Sequence, residues 1–417
     1  MAPERGRALG WLIAGILLRL VVYVFLWPVN NDDHRAVFKY LVETGHLPTL
    51  WNTLQAQHPP LYYLLAAPLW KWTASDKGVQ LLSLVCSIAT LVALYHLIYR
   101  TPLIESARAR LYGFLMACFL PQFVMFTLYL SNDTLAILLG NLTLVVVWRY
   151  VRDRRALDVV VLGILTAAGL LTKLTFLAYL PVFAGLVFWV EGRTRRAAIA
   201  AAAFFALTLA AGSYKLVDNW MRFRDPMITG LDPRFHYPNL QAHAVTYRGL
   251  ASYTDANVFK LVKEPVLSPA TSGAYPVILY ATFWYQYIPE SNFILNRTRP
   301  TMYLGSVIYL VGLVPTLVFL VGWVASLRPG KVVTVVGALM LLFTALMFLP
   351  ALMKYHVWSI IQARYLFPAM FACFLAFAEG MGRIERWKAA RWALAGCMWT
   401  LTGLFLCYFA AECWHWV

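Results

Sequence analysis

Apolar residues in this chain do not alternate with polar ones. They run together in stretches of about 20 residues, the length of helix that crosses a bilayer core. These stretches cover residues 9–28, 78–99, 109–129, 133–150, 156–172, 174–190, 196–218, 302–325, 332–352, 366–381 and 391–411. They predict eleven membrane helices, because a backbone in lipid must satisfy its own hydrogen bonds. The segment PPLYYLLAAPLWKW, residues 59–72, contains Pro68 and is too short to cross comfortably. Read as a further span, it would reverse every helix after it.

The basic residues decide that question. With residues 59–72 kept out of the membrane-crossing set, one side receives Arg5 and Arg7, Arg100/Arg108/Arg110, Arg149/Arg152/Arg154/Arg155, Arg193/Arg195/Arg196, Arg328/Lys331 and Arg383/Arg386/Lys388/Arg391, which is 18 of the 35 basic residues. By the positive-inside rule that side is cytoplasmic, as is the N-terminus. Residues 59–72 then form a surface or membrane-dipping helix on the outer side. The expected architecture is an all-α polytopic membrane domain spanning 1–417, with outer loops at 29–77 and 219–301 and no appended soluble domain after AECWHWV. No small-residue cleavage site follows the first apolar run, so it is read as a retained helix.

Composition excludes other classes. A chain that is 61% hydrophobic and 13% charged is not a soluble globular protein. Its net charge of +16 could suggest nucleic acid, but the clustering above makes it a topology signal. The six cysteines form no CxxC or Cys/His spacing, so neither a disulfide framework nor a zinc site is expected.

The unusual polar residues gather on the outer side. The stretch VNNDDHR places Asp32 and Asp33 directly after the first span, before residues 34–44, which can form an amphipathic helix with Val37, Tyr40 and Leu41 at helical spacing. A carboxylate there can cap the helix or act as a general base toward an attacking hydroxyl or amine. His58-Pro59-Pro60-Leu61-Tyr62-Tyr63 fixes the backbone before a short helix. Ser131-Asn132-Asp133 stands at a helix start, Lys173 interrupts a long apolar region, and Arg364-Tyr365 precedes a late span. Lys173 can anchor at the boundary by snorkelling, whereas a boundary arginine suits a phosphate. Arg19, inside the first span, and Glu379 fit no constellation and are read as snorkelling or paired.

In this order, the acidic pair, Gly45-His46-Leu47-Pro48, HPPLYY, Ser131-Asn132-Asp133, Leu171-Thr172-Lys173 and Ala363-Arg364-Tyr365-Leu366-Phe367-Pro368 resemble the GT-C superfamily of integral-membrane glycosyltransferases. The nearest branch is the protein O-mannosyltransferase and lipid A aminoarabinose-transferase-like group, glycosyltransferase family 39-like. The resemblance implies a GT-C fold and a donor sugar on a polyprenyl phosphate of undecaprenyl or dolichyl type. It implies inverting transfer on the periplasmic face of a bacterial inner membrane. Asp32 or Asp33 would be the base, Lys173 and Arg364 would hold the donor phosphate, and His58, Tyr62, Tyr63, Asn132, Asp133 and Tyr365 would line the cavity.

The acceptor could be a lipid, a glycan or a protein, and no cofactor is expected. A divalent ion near Asp32/Asp33 and His58 is compatible with the residues but not required by their spacing. Aromatic residues in DPRFHYPNL and ATFWYQYIPE could stack on sugars or pack at the interface. Competing readings are a lipid or sugar transporter or flippase and a diphosphate-linked O-antigen ligase or polymerase type of transferase. A transporter typically carries internal repeats with broken helices at the midplane, and none is evident in this sequence.

Overall fold

In the computed structural model, residues 2–30, 32–230, 232, 234–235, 249–265, 274–285, 299–328, 330–355 and 362–414 are described. Most of the two aromatic stretches of the 219–301 loop lies outside them. The regular secondary structure of the described residues is helical, with one isolated β-bridge between Val29 and Tyr129.

Helix α1 (Ala2–Phe25) leads into the first loop, which holds α2 (His34–Thr44), a 3-10 turn (Leu54–Gln57) and α3 (Leu61–Thr73). There follow α4 (Asp76–Tyr99), α5 (Ala107–Phe119), α6 (Pro121–Met125), α7 (Asn132–Asp153), α8 (Ala156–Leu170), a 3-10 turn (Leu174–Tyr179), α9 (Leu180–Glu191), α10 (Arg195–Gly212) and α11 (Tyr214–Phe223). Within the second loop lies α12 (Tyr275–Trp284), and after it come α13 (Arg299–Ser326), α14 (Val332–Tyr355), a 3-10 turn (Ala363–Ala369), α15 (Met370–Ile384) and α16 (Lys388–Trp414).

Nine helices among the described residues are long and apolar enough to cross a membrane, against the eleven expected. The two that fall short have physical causes. The stretch 109–129 breaks after Phe119 because Pro121 has no N–H to continue the helix. The stretch 156–172 holds only the 15 residues of α8, about 22 Å of helix against a hydrocarbon core of about 30 Å. Helix α3 has 13 residues and stays out of the spanning set, as expected.

The basic turns share one end of the bundle. Lys331 pairs with Glu105 at 2.9 Å and with Glu379 at 3.8 Å, Ser106 donates to Glu385 at 3.0 Å, and Arg196 pairs with Glu191 at 3.1 Å. Glu379 is therefore a paired residue of the basic end. The first loop lies at the opposite end.

Helices α7 and α15 occupy the centre: 72% of the spanning window of each is buried, against 28% for α1 and α10, whose exposed Leu, Ile and Val side chains face outward. Helices α13 and α15 approach closely through Gly322 and Gly380, where a Cβ would collide with the Ala376 and Val318 carbonyls. Small residues at a helix crossing let dispersion contacts replace the hydrophobic drive that lipid cannot supply.

Arg19 is fully buried between α1, α4 and α5. Its guanidinium donates to Ser87 Oγ at 2.8 Å and to the carbonyls of Gly15, Cys118 and Ala117 at 3.0, 3.1 and 3.0 Å. The Ala117 carbonyl lost its helical donor at Pro121, which has no N–H. Arg19 fills the break that the proline makes.

Candidate active site

The first loop is pinned to the bundle by backbone. Val29 N donates to Leu128 O and Leu130 N to Val29 O, both at 2.9 Å. This pairing sets Asn30 and Asp32 beside Ser131-Asn132-Asp133. Asp33 then takes a left-handed conformation, φ 53° and ψ 38°, a region costly for most residues but tolerated by Asp. The turn splits the acidic pair. Asp32 points inward, while Asp33 is exposed and accepts a 3.1 Å hydrogen bond from Asn30 Nδ2. Asp33 occupies the N-cap position of α2 without a side-chain cap bond, and Asn30 Oδ1 accepts from Arg35 N at 3.0 Å.

Inside, four charged groups from four separate segments meet. Arg364 Nη1 lies 2.9 Å from Asp32 Oδ2 and 3.3 Å from Asp133 Oδ2. Lys173 Nζ pairs directly with Asp133 Oδ1. Arg364, Lys173 and Asp133 are buried, and the Asp32 side chain is 26% exposed. The two carboxylates and two cations balance in charge, which is how such groups tolerate burial. Burial opposes ionisation of Asp32, but the Arg364 charge and its hydrogen bond outweigh it and hold the carboxyl below the usual carboxylate range.

Each member is held by local structure. Ser131 caps α7 by accepting from Asp133 N at 3.2 Å and donates to Asp133 Oδ2 at 3.2 Å. Asn132, fully buried, donates to Thr172 O at 2.9 Å. Leu61 N, the first N–H after the His-Pro-Pro turn, donates to Leu171 O at 2.8 Å. Three motifs distant in sequence are thus tied together through the turn that carries Lys173. The Tyr365 ring lies 4.4 Å from Lys173 Nζ and 5.3 Å from Arg364 Cζ and packs on Phe348; a cation facing an aromatic ring is attracted to it.

A histidine layer covers the cluster. His34 and His58 rings stack at 5.5 Å, His34 Nδ1 is 2.7 Å from Tyr63 Oη, and Tyr63 Oη donates to Gln55 O at 3.3 Å. That chain is satisfied when Nδ1 carries the imidazole proton. Burial lowers the His34 pKa to about 4 and pushes His58 well below its ordinary value, so both are neutral near pH 7. Tyr62, fully buried, sets its ring edge against His34 and Tyr63.

His34 is not among the residues that the sequence singles out, although its position carries a signal: with Val37 and Phe38 it forms the buried stripe of α2. Tyr40, expected on that stripe, is only half-buried. Among the described residues no group of three His, Cys, Asp or Glu side chains could hold a metal ion.

The helical bundle carries a charged cluster at one end and basic turns at the other. The model of the family described as dolichyl-phosphate-mannose-protein mannosyltransferase matches residues 57–214, less than half of the chain. No curated protein matches at a significant level. Among solved structures, the oligosaccharyltransferase of Archaeoglobus fulgidus tethered with an acceptor peptide superposes with TM-score 0.51 and 13% identity, covering 97% of this chain and 55% of that one. The same archaeon's oligosaccharyltransferase AglB, in complex with an inhibitory peptide and a dolichol-phosphate, gives TM-score 0.50 and 12% identity over 99% of this chain and 56% of that one. ArnT from Cupriavidus metallidurans bound to undecaprenyl phosphate gives TM-score 0.43 and 14% identity, covering 90% of this chain and 78% of that one. The chain spans a little over half the length of the two oligosaccharyltransferase chains. The two oligosaccharyltransferase superpositions show that this chain shares their membrane-domain fold.

Proposed function

We propose that this protein transfers a glycosyl group from a polyprenyl-phosphate donor to an acceptor at the outer face of the membrane, with inversion and with Asp32 as general base. The observation that carries the reading is the buried cluster of Asp32, Arg364, Asp133 and Lys173. The family match to dolichyl-phosphate-mannose transferases and the dolichol-phosphate named with AglB support the donor class.

In this mechanism the donor phosphate takes contacts from Arg364 and Lys173. Arg364 shifts hydrogen bonds from Asp32 to the phosphate oxygens, and the freed Asp32 carboxylate accepts the acceptor proton. The acceptor O–H or N–H bond breaks as its O or N bonds to the sugar anomeric carbon. The bond from that carbon to the phosphate oxygen breaks, and the polyprenyl phosphate leaves with the electron pair. Charge grows on the phosphate as the bond breaks, so pre-placed cations stabilise the transition state more than the ground state. Asp133 keeps Lys173 and Arg364 in place, and no step needs a metal ion.

The test is transfer from a pool of polyprenyl-phosphate sugars in membranes carrying wild type, Asp32→Asn or Asp33→Asn at matched expression, with released polyprenyl phosphate measured by mass spectrometry. Loss of release in Asp32→Asn supports the reading. Wild-type release in that variant overturns it and makes transport the function to test next.

A further inference from the structure

Arg364 sits on the 3-10 turn that leads directly into α15. Pro368 within the turn has no N–H, and at the junction Met370 N donates to Phe367 O while Phe371 N donates to a side chain of another helix. That side chain is Asn141 of α7, which bridges the junction. Its Nδ2 donates to Phe367 O at 2.9 Å and to Ile137 O at 2.8 Å, and its Oδ1 accepts from Phe371 N at 3.1 Å. Both amide hydrogens and the oxygen are engaged, and the flipped amide would oppose each contact. The residue is fully buried, and neighbouring Gly140 lets the Pro368 carbonyl approach where a Cβ would collide. The start of the turn is fixed too: Ala363 N donates to the Thr282 hydroxyl at 2.9 Å.

We propose that Asn141 is a positioning residue for Arg364, its side-chain amide splicing the broken helix so that the guanidinium is held where the donor phosphate binds. The inference rests on the reading of Arg364 as a phosphate-binding group. An asparagine in an otherwise apolar span has to be satisfied locally, and here its partners are the two backbone groups on either side of the arginine turn's exit. A contact about 226 residues away in sequence, as a simple order of magnitude for long-range closure, is available only after the bundle forms. Loss of the amide frees the turn to shift, and small misplacements of a binding group cost large factors in rate or affinity.

The experiment is a double-mutant cycle on full-length purified protein, using undecaprenyl phosphate as the probe. Wild type, Arg364→Gln, Asn141→Leu and the double variant are compared for affinity and for melting temperature. The expected result is weaker probe binding by about tenfold in each single variant and no further loss in the double variant, because both act through one contact. Asn141→Asp, equal in volume but opposing the Phe367 and Ile137 carbonyls, serves if Asn141→Leu does not fold, and is expected to weaken binding as well. A folded Asn141 variant that binds like wild type, or losses that add in the cycle, overturns the proposal while leaving Arg364 as a phosphate ligand. Wild-type binding by Arg364→Gln overturns both, and that single variant identifies which reading failed.

Discussion

Arg364 and Asp32 meet at 2.9 Å across 332 residues of chain, and the same guanidinium nitrogen lies 3.3 Å from Asp133. One cation is thus shared by two carboxylates from different segments. A phosphate entering the site competes for it, and Asp32 is the more exposed of the two carboxylates.

The split of the acidic pair predicts unequal variants. Asp32→Asn loses transfer by about 10²–10⁴-fold, the range general-base catalysis supplies. Asp33→Asn, which removes only an exposed contact with Asn30, keeps activity within about twofold, since surface changes of this kind stay near 0.5 kcal/mol. Initial rates of polyprenyl-phosphate release at matched protein levels check both.

Removing one member of the buried pair beside them affects folding. Lys173→Met leaves Arg364 as the cation beside Asp133 and costs about 3 kcal/mol. The double variant Lys173→Met/Asp133→Leu regains much of that stability, because an apolar pair replaces an ion pair, yet it does not regain transfer. Thermal unfolding in detergent, read beside activity, separates the two effects.

Acid should loosen the first loop. His34 has a folded pKa of about 4 against an ordinary 6.5, so the unfolded chain takes up the proton first. Its contribution to stability is complete above about pH 6.5 and is lost as pH falls toward 4. His58 shifts in the same direction, and Asp32 adds a further loss at lower pH as its carboxylate is protonated. Protease cleavage within residues 30–60 is expected to rise between pH 6.5 and 4, and His34→Gln, which keeps a hydrogen-bonding group near Tyr63, flattens that rise.

Arg19 is expected to act on the scaffold alone. Arg19→Leu leaves the Ala117 and Cys118 carbonyls without a donor, at about 1–3 kcal/mol each, and lowers the melting temperature. Transfer per folded molecule is unchanged. A loss of transfer in excess of the loss of folded protein would show that Arg19 also reaches the site.

The apolar runs, the basic clusters and Pro68 settled by themselves that this is a polytopic helical chain, that residues 59–72 hold a helix shorter than the long spans and that α2 covers His34–Thr44. Each is a local property: run length against bilayer thickness, charge at span ends, apolar spacing on a short helix. The residue types of the site, Asp32, Asp133, Lys173 and Arg364, were legible for the same reason, since a charge beside a membrane span stands out. Tertiary structure decided what those residues do to one another. Which Asp turns inward depends on the left-handed backbone at Asp33 and on the pairing of Val29 with Leu128 and Leu130. The importance of His34, Asn141 and Arg19 depends on partners that only packing supplies: a second imidazole, a broken helix in another segment, a carbonyl left by a proline. Sequence periodicity records which face of a helix is apolar. It does not record which distant backbone group that face meets, and in lipid every such group has to be met.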